Sequence, residues 1–295
     1  MPLHIAYGDP STLRARCETA TVRTTRRDET TYEPGAIIPA GQWRPMTEAE
    51  VKAVTAPRRP LDSTLVEIVR LTHREGLPLE ELTGPLGDPK AVYLGQALAK
   101  PGMTTTTDNF EDGRLIGLHL DNWDKLPYAD KHTGRRRICL NLGPGTRYII
   151  LGAIDAQTVC RAVHPDDHTH RYPHTQDYRH HVASGRPLRI VRIRLNPGEG
   201  YVAPTEYLLH DGSTEAQDQP SAAAFWLGHW PRGILPSLVW HRVTVPPPHR
   251  QEQGAHPCRH PLTRSGSSTD SPLVRVFPQC TVSSVALAGS VHLRE

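Results

Sequence analysis

The chain has 295 residues, enough to bury a substantial core in one or two domains. Its 37% apolar and 22% charged residues exclude a fully disordered protein, while 28 prolines and 23 glycines favour short strands and turns over long helices. The net charge of +3 argues against an obligate polyanion partner such as a nucleic acid.

Expectations about location follow from features that the sequence lacks. No stretch reaches the ~18 consecutive apolar residues of a membrane span, and the first residues carry no long apolar signal segment. The five cysteines are scattered, odd in number and without C-x-x-C spacing, so they predict neither a disulfide framework nor a zinc ribbon. We therefore expect a cytoplasmic protein with no membrane partner.

Residues 1–104 are predicted to form an N-terminal arm and a set of helices that support a sheet. Residues 1–45 are rich in turn formers, and the weak alternation over 19–26 is typical of an edge strand. We expect this segment to be an irregular arm at the edge of the main fold.

Three helices are expected after the arm. Two of them begin with a capping box, in which a hydroxyl side chain precedes a carboxylate by three residues: Thr47 with Glu50, and Thr64 with Glu67. The first helix should stop at Pro57 and the second at Gly76, a favourable C-terminal residue. A third short helix is expected over 88–99.

From about residue 115 the pattern changes to that of short strands. In the segment LRIVRIRLN, the apolar side chains Val191, Ile193 and Leu195 fall on one face and the intervening arginines on the other. Similar apolar runs, separated by glycine, proline or charged residues, are RLIGLHLDN, RRICLNLG, TRYIILGAID, GEGYVAP, YLLHDGS and AAAFWLGHW. This spacing predicts a β-sandwich or barrel, which we place at residues 105–245.

One of these strands carries a histidine and an aspartate two residues apart, His119 and Asp121. Successive side chains of a strand point to opposite faces, so these two groups share a face and can form a hydrogen-bonded pair or two metal ligands. Two histidines and one carboxylate hold non-haem Fe(II) and leave other positions open. The third ligand is expected to be His210, which ends an apolar strand before an Asp-Gly turn, with His229 as its rival.

Three segments, in this order along the chain, carry a resemblance to a known family. They are His119-Leu120-Asp121, the arginine-rich stretch over 135–152, and Pro197-Gly198-Glu199-Gly200 leading to His210-Asp211-Gly212-Ser213. With them, residues 105–235 resemble the Fe(II)/2-oxoglutarate-dependent oxygenases of the double-stranded β-helix, or jelly-roll, superfamily, such as phytanoyl-CoA-hydroxylase-like and related small-molecule hydroxylases. The resemblance implies a cupin-like jelly-roll core, Fe(II) bound by His119, Asp121 and His210, and 2-oxoglutarate as co-substrate.

The resemblance also implies a reaction. Family members use O2 to oxidise a substrate while 2-oxoglutarate is decarboxylated to succinate, and they need no catalytic residue beyond the metal ligands. Related halogenases replace the carboxylate ligand by a small residue, which leaves room for chloride. Because Asp121 is present, we expect hydroxylation or desaturation of a small-molecule or amino-acid-like substrate instead.

A basic residue is expected to hold the C5 carboxylate of 2-oxoglutarate. In the family it usually follows the distal histidine on the last barrel strand, but residues 211–224 contain neither arginine nor lysine. Arg232 comes somewhat later, and Arg137 lies on the strand after the His-x-Asp pair. A guanidinium group matches a carboxylate at two points, so both arginines are suitable and the choice stays open.

Two other functions are compatible with the same residues. A cupin-like metal-binding protein without oxygenase activity fits the lack of a basic residue close after His210. A zinc hydrolase would use the same three ligands together with a metal-bound water. Serine hydrolases and nucleotide-binding enzymes are not supported, because the sequence has no G-x-S-x-G elbow and no phosphate-binding loop with a lysine.

Two further segments flank or interrupt this core. The histidine-rich stretch over 164–181 is predicted to be a solvated loop between strands, because its spacing fits no regular metal site and Pro165 and Pro173 interrupt helix and strand alike. A zinc or nickel store is the alternative. Residues 246–295, which begin with a proline run, are predicted to be a linker followed by a poorly ordered or peripheral tail.

Overall fold

The structure is a computed structural model that describes residues 3–6, 10–55, 63–70, 78–83 and 88–233. Within these ranges the chain is mainly β, with two six-stranded sheets and four α-helices. The prediction of a mainly β fold with flanking helices is confirmed at this level. The predicted tail over 246–295 lies outside the described residues.

The strands are short and most of the helices lie between them. The strands of the described residues are β1 (His4–Ala6), β2 (Cys17–Thr24), β3 (Tyr32–Pro45), β4 (Leu65–Arg70), β5 (Val92–Ala99), β6 (Leu115–Gly117), β7 (Arg136–Pro144), β8 (Arg147–Asp155), β9 (Arg189–Leu195), β10 (Glu199–Ala203), β11 (Leu208–Ser213) and β12 (Ser221–Gly228). The helices are α1 (Pro10–Arg16), α2 (Glu48–Val54), α3 (Ala156–Val163) and α4 (Thr175–Ala183).

The strands form two sheets that we call A and B. Sheet A has the order β1-β4-β10-β7-β12-β5, and sheet B has the order β11-β8-β9-β2-β3-β6. Neighbouring strands are antiparallel except for β1 with β4 and β3 with β6. From β7 to β12 the chain changes sheet at each step apart from one. That exception is β8 and β9, which pair within sheet B across an insertion that holds α3 and α4.

A hydrophobic core fills the space between the sheets. Cys139 and Tyr201 of sheet A belong to the same cluster of buried residues as Leu151 and Val191 of sheet B. The opposite face of sheet B packs against α3 and α4, and Tyr178 of α4 is fully buried there. Sheet B therefore packs against other elements on both of its faces.

Two of the three predicted helices are wrong. The segment expected to form a helix from Thr64 is β4, an inner strand of sheet A, and most of the segment over 88–99 is β5 at the edge of that sheet. Glu67 caps no helix, because its carboxylate pairs with Arg136 (Nη1–Oε2 2.7 Å). A short apolar run buried on both faces resembles a buried helix in hydropathy, and here its β-branched residues favour the strand.

The helix predicted from the first capping box is confirmed. Thr47 is the N-cap of α2, its Oγ1 accepts a hydrogen bond from the Glu50 amide (3.3 Å), and Glu50 Oε2 accepts one from the Thr47 amide (2.9 Å). The helix ends at Val54, slightly before the expected stop at Pro57. Here the local side-chain hydrogen bonds decide the structure, so the sequence signal was sufficient.

Residues 10–45 are not an irregular arm. They form α1, β2 and β3, and β2 is an inner strand of sheet B that pairs with β9 on one side and β3 on the other. The alternation over 19–26 is weak because polar residues are buried in it. Thr19, for example, is 2% exposed and its hydroxyl donates to the carbonyl of Ile190 (2.8 Å).

The histidine-rich stretch lies between β8 and β9 as predicted, and residues 164–172 are mostly exposed, but the stretch is not a loop throughout. It begins at His164, directly after the end of α3, and contains a 3-10 helix over His168–His170 and most of α4. The two prolines fall in the connections and interrupt neither α-helix. His174 is the N-cap of α4, and Asp177 Oδ2 accepts a hydrogen bond from its amide (3.1 Å).

Two further properties concern the residues that the structure describes. None of their helices is long and apolar enough to cross a membrane. Cys17, Cys139 and Cys160 are buried free thiols. The other two cysteines lie outside the described ranges.

Candidate metal centre

The segment after β6 brings the His-x-Asp pair beside β11. On one side, the Leu118 amide donates to the carbonyl of Ile37 in β3 (2.8 Å). On the other side, the His119 amide donates to the His210 carbonyl (3.0 Å) and the His210 amide donates to the His119 carbonyl (2.9 Å). Residues that exchange two hydrogen bonds in an antiparallel pair face the same side. The two histidines are therefore neighbours although they lie far apart in the chain.

Asp121 completes the cluster, since it follows His119 by two residues on the same face. Its Oδ1 lies 3.9 Å from His119 Nε2, and its Oδ2 lies 3.8 Å from His210 Nε2. Each of the three residues offers one potential metal-ligand atom, and these three atoms all lie within 4.8 Å of one another. His119 and Asp121 are each 7% exposed and His210 is 2% exposed. The three residues predicted as ligands are thus together and buried.

Backbone hydrogen bonds fix the orientation of both imidazoles. His119 Nδ1 lies 2.9 Å from the Gly117 carbonyl, and His210 Nδ1 lies 3.2 Å from the Leu208 carbonyl. A carbonyl oxygen only accepts, so each Nδ1 must carry the proton. The neutral ring then has its lone pair on Nε2, and in both histidines that atom faces Asp121. This arrangement is typical of metal-binding histidines.

The electrostatics of the cluster keep Asp121 and His210 in the form that binds a metal. Burial raises the pKa of Asp121, but attraction by Arg137 and then by His210 and His119 outweighs it and lowers the pKa to about 2. Burial also lowers the pKa of His210 to about 3, against the opposing effect of Asp121. At neutral pH Asp121 is therefore a carboxylate and His210 a neutral imidazole.

Two atoms of the cluster lack a hydrogen-bond partner. Asp121 Oδ2 and His210 Nε2 are both buried and unpartnered, although Arg137 Nη2 lies 2.8 Å from each oxygen of Asp121 and makes a hydrogen bond to Oδ1. Both unpartnered atoms accept hydrogen bonds and neither can donate in these protonation states. Two buried acceptors that face each other are costly unless a cation lies between them.

The two predicted carboxylate-binding arginines have different positions. Arg137, on β7, lies against Asp121 and beside the ring of Phe225, 5.7 Å from the ring centroid. Arg232 follows β12 near a different charged group, where the adjacent amide of Gly233 donates to Glu67 Oε1 (2.8 Å). Their predicted role stays a prediction for both. Of these two arginines, Arg137 lines a cavity beside His210 and Arg232 does not.

His229, the rival third ligand, lies outside the cluster. It is exposed, and its amide donates to Asp88 Oδ2 (2.7 Å). Among the residues that the structure describes, only His119, Asp121 and His210 form a group of three or more side chains with metal-ligand spacing.

A small cavity of about 80 Å³ opens beside His210, and a second arginine lies in its wall. Arg147, the first residue of β8, is 4% exposed, and its Nη1 is buried without a hydrogen-bond partner. Gly212 of β11 makes room for it, because a Cβ at that position would lie 2.5 Å from Arg147 Nη2. The cavity wall therefore carries a guanidinium nitrogen without a hydrogen-bond partner among the described residues, where an anion can bind.

Arg147 was not predicted as a site residue, although its position in the sequence carries a signal. In TRYIILG, Arg147 shares its strand face with Ile149 and Leu151, both of which point into the core between the sheets. A basic residue on the inward face of an otherwise apolar strand is rarely placed there without a partner or a ligand.

Asp211 was also not predicted as a site residue, and it lies beside the imidazole of His119. Its Oδ1 accepts hydrogen bonds from the amides of Thr106 and Thr107 (3.2 Å each) and from the Thr107 hydroxyl (2.9 Å). Its Oδ2 lies 3.8 Å from His119 Nδ1. Burial raises the pKa of Asp211 to about 6. This carboxylate ties the strand that carries His210 to the segment that lines the cavity.

Comparison with known proteins adds no identification. No protein-family model matches the chain, and no curated protein is significantly similar to it.

Proposed function

We propose that this chain is an Fe(II)- and 2-oxoglutarate-dependent oxygenase that hydroxylates or desaturates a small-molecule or amino-acid-like substrate. The observation that carries the proposal is the convergence of His119, Asp121 and His210 on one buried point. Two imidazoles and one carboxylate are the donor set of non-haem Fe(II) oxygenases.

The three groups fit a metal ion. Bonds of about 2.1 Å to nitrogen and oxygen hold neighbouring ligand atoms about 3.0–3.4 Å apart. The observed separations of 3.8 and 3.9 Å therefore require only a small inward movement of the side chains. The unpartnered Asp121 Oδ2 and His210 Nε2 gain a partner when a cation binds. His119, Asp121 and His210 would hold the metal.

The order of the strands supports a jelly-roll core. In sheet A, β5, β12, β7 and β10 are consecutive neighbours, and in sheet B, β11, β8 and β9 are. The 118–121 segment extends that second row, since His119 pairs with His210 of β11. Two facing antiparallel sheets of four strands each, with the chain crossing between them, are the arrangement of a jelly roll. In this arrangement the three ligands lie on two adjacent members of the second row, the 118–121 segment and β11.

Arg147 is the best-placed anchor for the C5 carboxylate of 2-oxoglutarate. It has a buried Nη1 without a hydrogen-bond partner, it lines the cavity beside His210, and it forms no ion pair with the carboxylates of the described residues. Arg137 already pairs with Asp121, and Arg232 does not line the cavity. The cavity is small, so the rim formed by residues 97–99 and 106–108 would have to open for a keto acid.

The chain's own residues bind, orient and exclude water. Bound Fe(II), together with 2-oxoglutarate and O2, supplies the oxidising chemistry. Arg137 keeps Asp121 ionised, and the Gly117 and Leu208 carbonyls hold the two imidazoles with Nε2 toward the metal. Tyr201, whose pKa burial raises well above its usual value, stays neutral in the cavity wall. Leu98, 71% exposed at the rim, offers an apolar contact to a substrate.

Anaerobic addition of Fe(II) and then 2-oxoglutarate tests the proposal. A visible charge-transfer band that needs both components, and succinate formation after O2 is admitted, are expected for the wild type and for His229→Ala. Both signals should be lost in His210→Ala, which also replaces a histidine by alanine but removes a candidate metal ligand. Metal binding without the band or succinate would leave a non-catalytic cupin-like protein, and hydrolytic activity with zinc in the absence of O2 would indicate a zinc hydrolase; either result contradicts the proposal.

A further inference from the structure

The segment that carries two of the candidate ligands has different hydrogen-bond partners on its two edges. One edge faces β11 and the connection before it, through the His119–His210 pair and the Asp121 amide, which donates to the Thr205 carbonyl (3.0 Å). The other edge faces β3 only as far as Leu118, whose amide donates to Ile37. At Leu120, the residue between the two ligands, no described strand lies alongside that edge.

A side chain of α4 takes the place of a strand at Leu120. The Leu120 amide donates to Thr175 Oγ1 (3.0 Å), and the same hydroxyl donates to the Leu120 carbonyl (3.4 Å). A residue in an antiparallel ladder exchanges one N–H and one C=O with its neighbour, and a hydroxyl group can serve both. The backbone polar groups of Leu120 are thus satisfied by one side chain from the histidine-rich insertion.

A second contact from the same helix face aligns α4 with the segment. Arg179, one turn after Thr175, donates from Nη2 to the Ile116 carbonyl (3.2 Å) and to Glu33 Oε2 (2.6 Å). Residues four apart in a helix lie on one face. The helix therefore contacts the backbone at two positions, Ile116 in β6 and Leu120 between the two ligands.

The start of α4 is itself held in place by the insertion. Asp177 Oδ2 accepts a hydrogen bond from the His174 amide (3.1 Å), and Asp177 Oδ1 lies 3.0 Å from His164 Nε2, beyond the end of α3. Asp177 is 5% exposed. Two histidines of the insertion, His164 and His174, therefore help to fix the first turn of α4, where Thr175 lies.

We propose that Thr175 is a positioning residue of the metal centre: its hydroxyl replaces a neighbouring strand at Leu120 and fixes His119 relative to Asp121 before a metal binds. The inference depends on the metal centre of the proposed function. It gives the histidine-rich insertion a supporting role in place of the metal store considered from the sequence. A shift of the Leu120 backbone would move both flanking ligands, because they share its strand.

Co(II) affinity of three variants of the full chain tests this inference. Thr175→Val keeps the shape of the side chain and removes the hydroxyl, so we expect the affinity for Co(II) to fall about tenfold. Thr175→Ser restores the hydroxyl and should bind as the wild type does. Thr158→Val is the matched control, because Thr158 Oγ1 donates to Asp155 Oδ2 (2.8 Å) in the first turn of α3. It should lower stability without changing Co(II) affinity.

Equal Co(II) affinity of Thr175→Val and the wild type would overturn the inference and leave the proposed function intact. A loss shared by the Thr158→Val control would also overturn it, since helix stability would then explain the effect. If the wild type itself binds no Co(II), both the proposed function and the inference fail.

Hydrogen exchange of the wild type provides a measurement that needs no variant. The Leu120 amide donates to a side chain that is in place without metal, so it should be protected in the metal-free protein to the same degree as the Leu118 amide. Rapid exchange at Leu120 beside a protected Leu118 would overturn the inference.

Discussion

At the scale of single residues, the candidate site is defined by atoms whose partners are missing. Asp121 Oδ2, His210 Nε2 and Arg147 Nη1 are all buried without a hydrogen bond. The first two atoms accept and the third donates, so they call for different partners. A cation beside the carboxylate and an anion beside the guanidinium satisfy all three. This is the pairing that a metal-bound keto acid provides.

Arg147→Met should weaken binding of 2-oxoglutarate and leave metal affinity unchanged. A hydrogen bond to a charged group contributes about 1.5–3 kcal/mol, so a loss of about 10- to 100-fold in affinity is expected. Titration of 2-oxoglutarate into the anaerobic Fe(II) protein measures it. Arg232→Met is the matched control and should bind normally. A loss in Arg232→Met with none in Arg147→Met would instead assign the carboxylate to the late arginine.

The three candidate metal ligands could be predicted from the sequence, whereas Arg147 was not predicted as a site residue. His119 and Asp121 are adjacent on one strand, so the period of the strand alone places them together. His210 needed the order of the segments. The relation of Arg147 to His210 depends on β8 pairing with β11, where His210 lies opposite Leu151. Pairing between strands so far apart in the chain cannot be predicted from the residues of either strand alone.

At the scale of elements, local signals succeeded only where local contacts decide the structure. The Thr47 capping box predicted α2 because its hydrogen bonds form within one turn. The same spacing at Thr64 and Glu67 failed, because Glu67 pairs with Arg136 in another strand and tertiary burial selected β4. The insertion between β8 and β9 was located correctly, but its helices were missed since its prolines fall outside them.

Glu199, from the PGEG turn, links three elements and makes stability depend on pH. Arg16 of α1 donates to its Oε2 (2.6 Å) and Arg70 of β4 donates to its Oε1 (3.1 Å). Burial raises the pKa of Glu199, but the hydrogen bond from Arg16, followed by one from the Asn196 amide, outweighs it and lowers the pKa. A depressed carboxyl pKa stabilises the fold above the unfolded-state value, and this stabilisation is lost as the pH falls.

Glu199→Gln should therefore lower the free energy of unfolding by about 2 kcal/mol at pH 7. The difference from the wild type should shrink as the pH drops below about 4, because the carboxyl of the unfolded chain is protonated there while that of the folded protein, with its lowered pKa, is still ionised. Urea unfolding at both pH values measures this. Glu50→Gln, which affects an ion pair with the half-exposed Arg44, should cost less at pH 7. A difference that stays constant with pH would contradict the assignment.

At the scale of the whole molecule, the candidate metal centre brings together residues from both sheets. It lies where the 118–121 segment meets β11, and it faces Arg137 of sheet A. The fold class could be predicted from the strand spacing. The strand order could not, because it depends on burial in both cores and on contacts such as that of α4 with the ligand segment.

A bound metal should stabilise the entire fold, since it binds a site that exists only in the folded state. At a free concentration 100 times the dissociation constant, the gain of about 2.7 kcal/mol should raise the melting temperature by about 5–10 °C. His210→Ala should lose this shift, whereas His180→Ala, an exposed histidine of the insertion, should retain it. An equal shift in His210→Ala would indicate that the metal binds elsewhere.

Anomalous diffraction from anaerobic crystals of the Fe(II)-loaded protein tests the central claim most directly. The account predicts one iron peak per chain, bonded to His119 Nε2, the Asp121 carboxylate and His210 Nε2, with its remaining positions open toward the cavity of Arg147. An iron peak within the histidine-rich insertion, or three ligand side chains without iron between them, would contradict it.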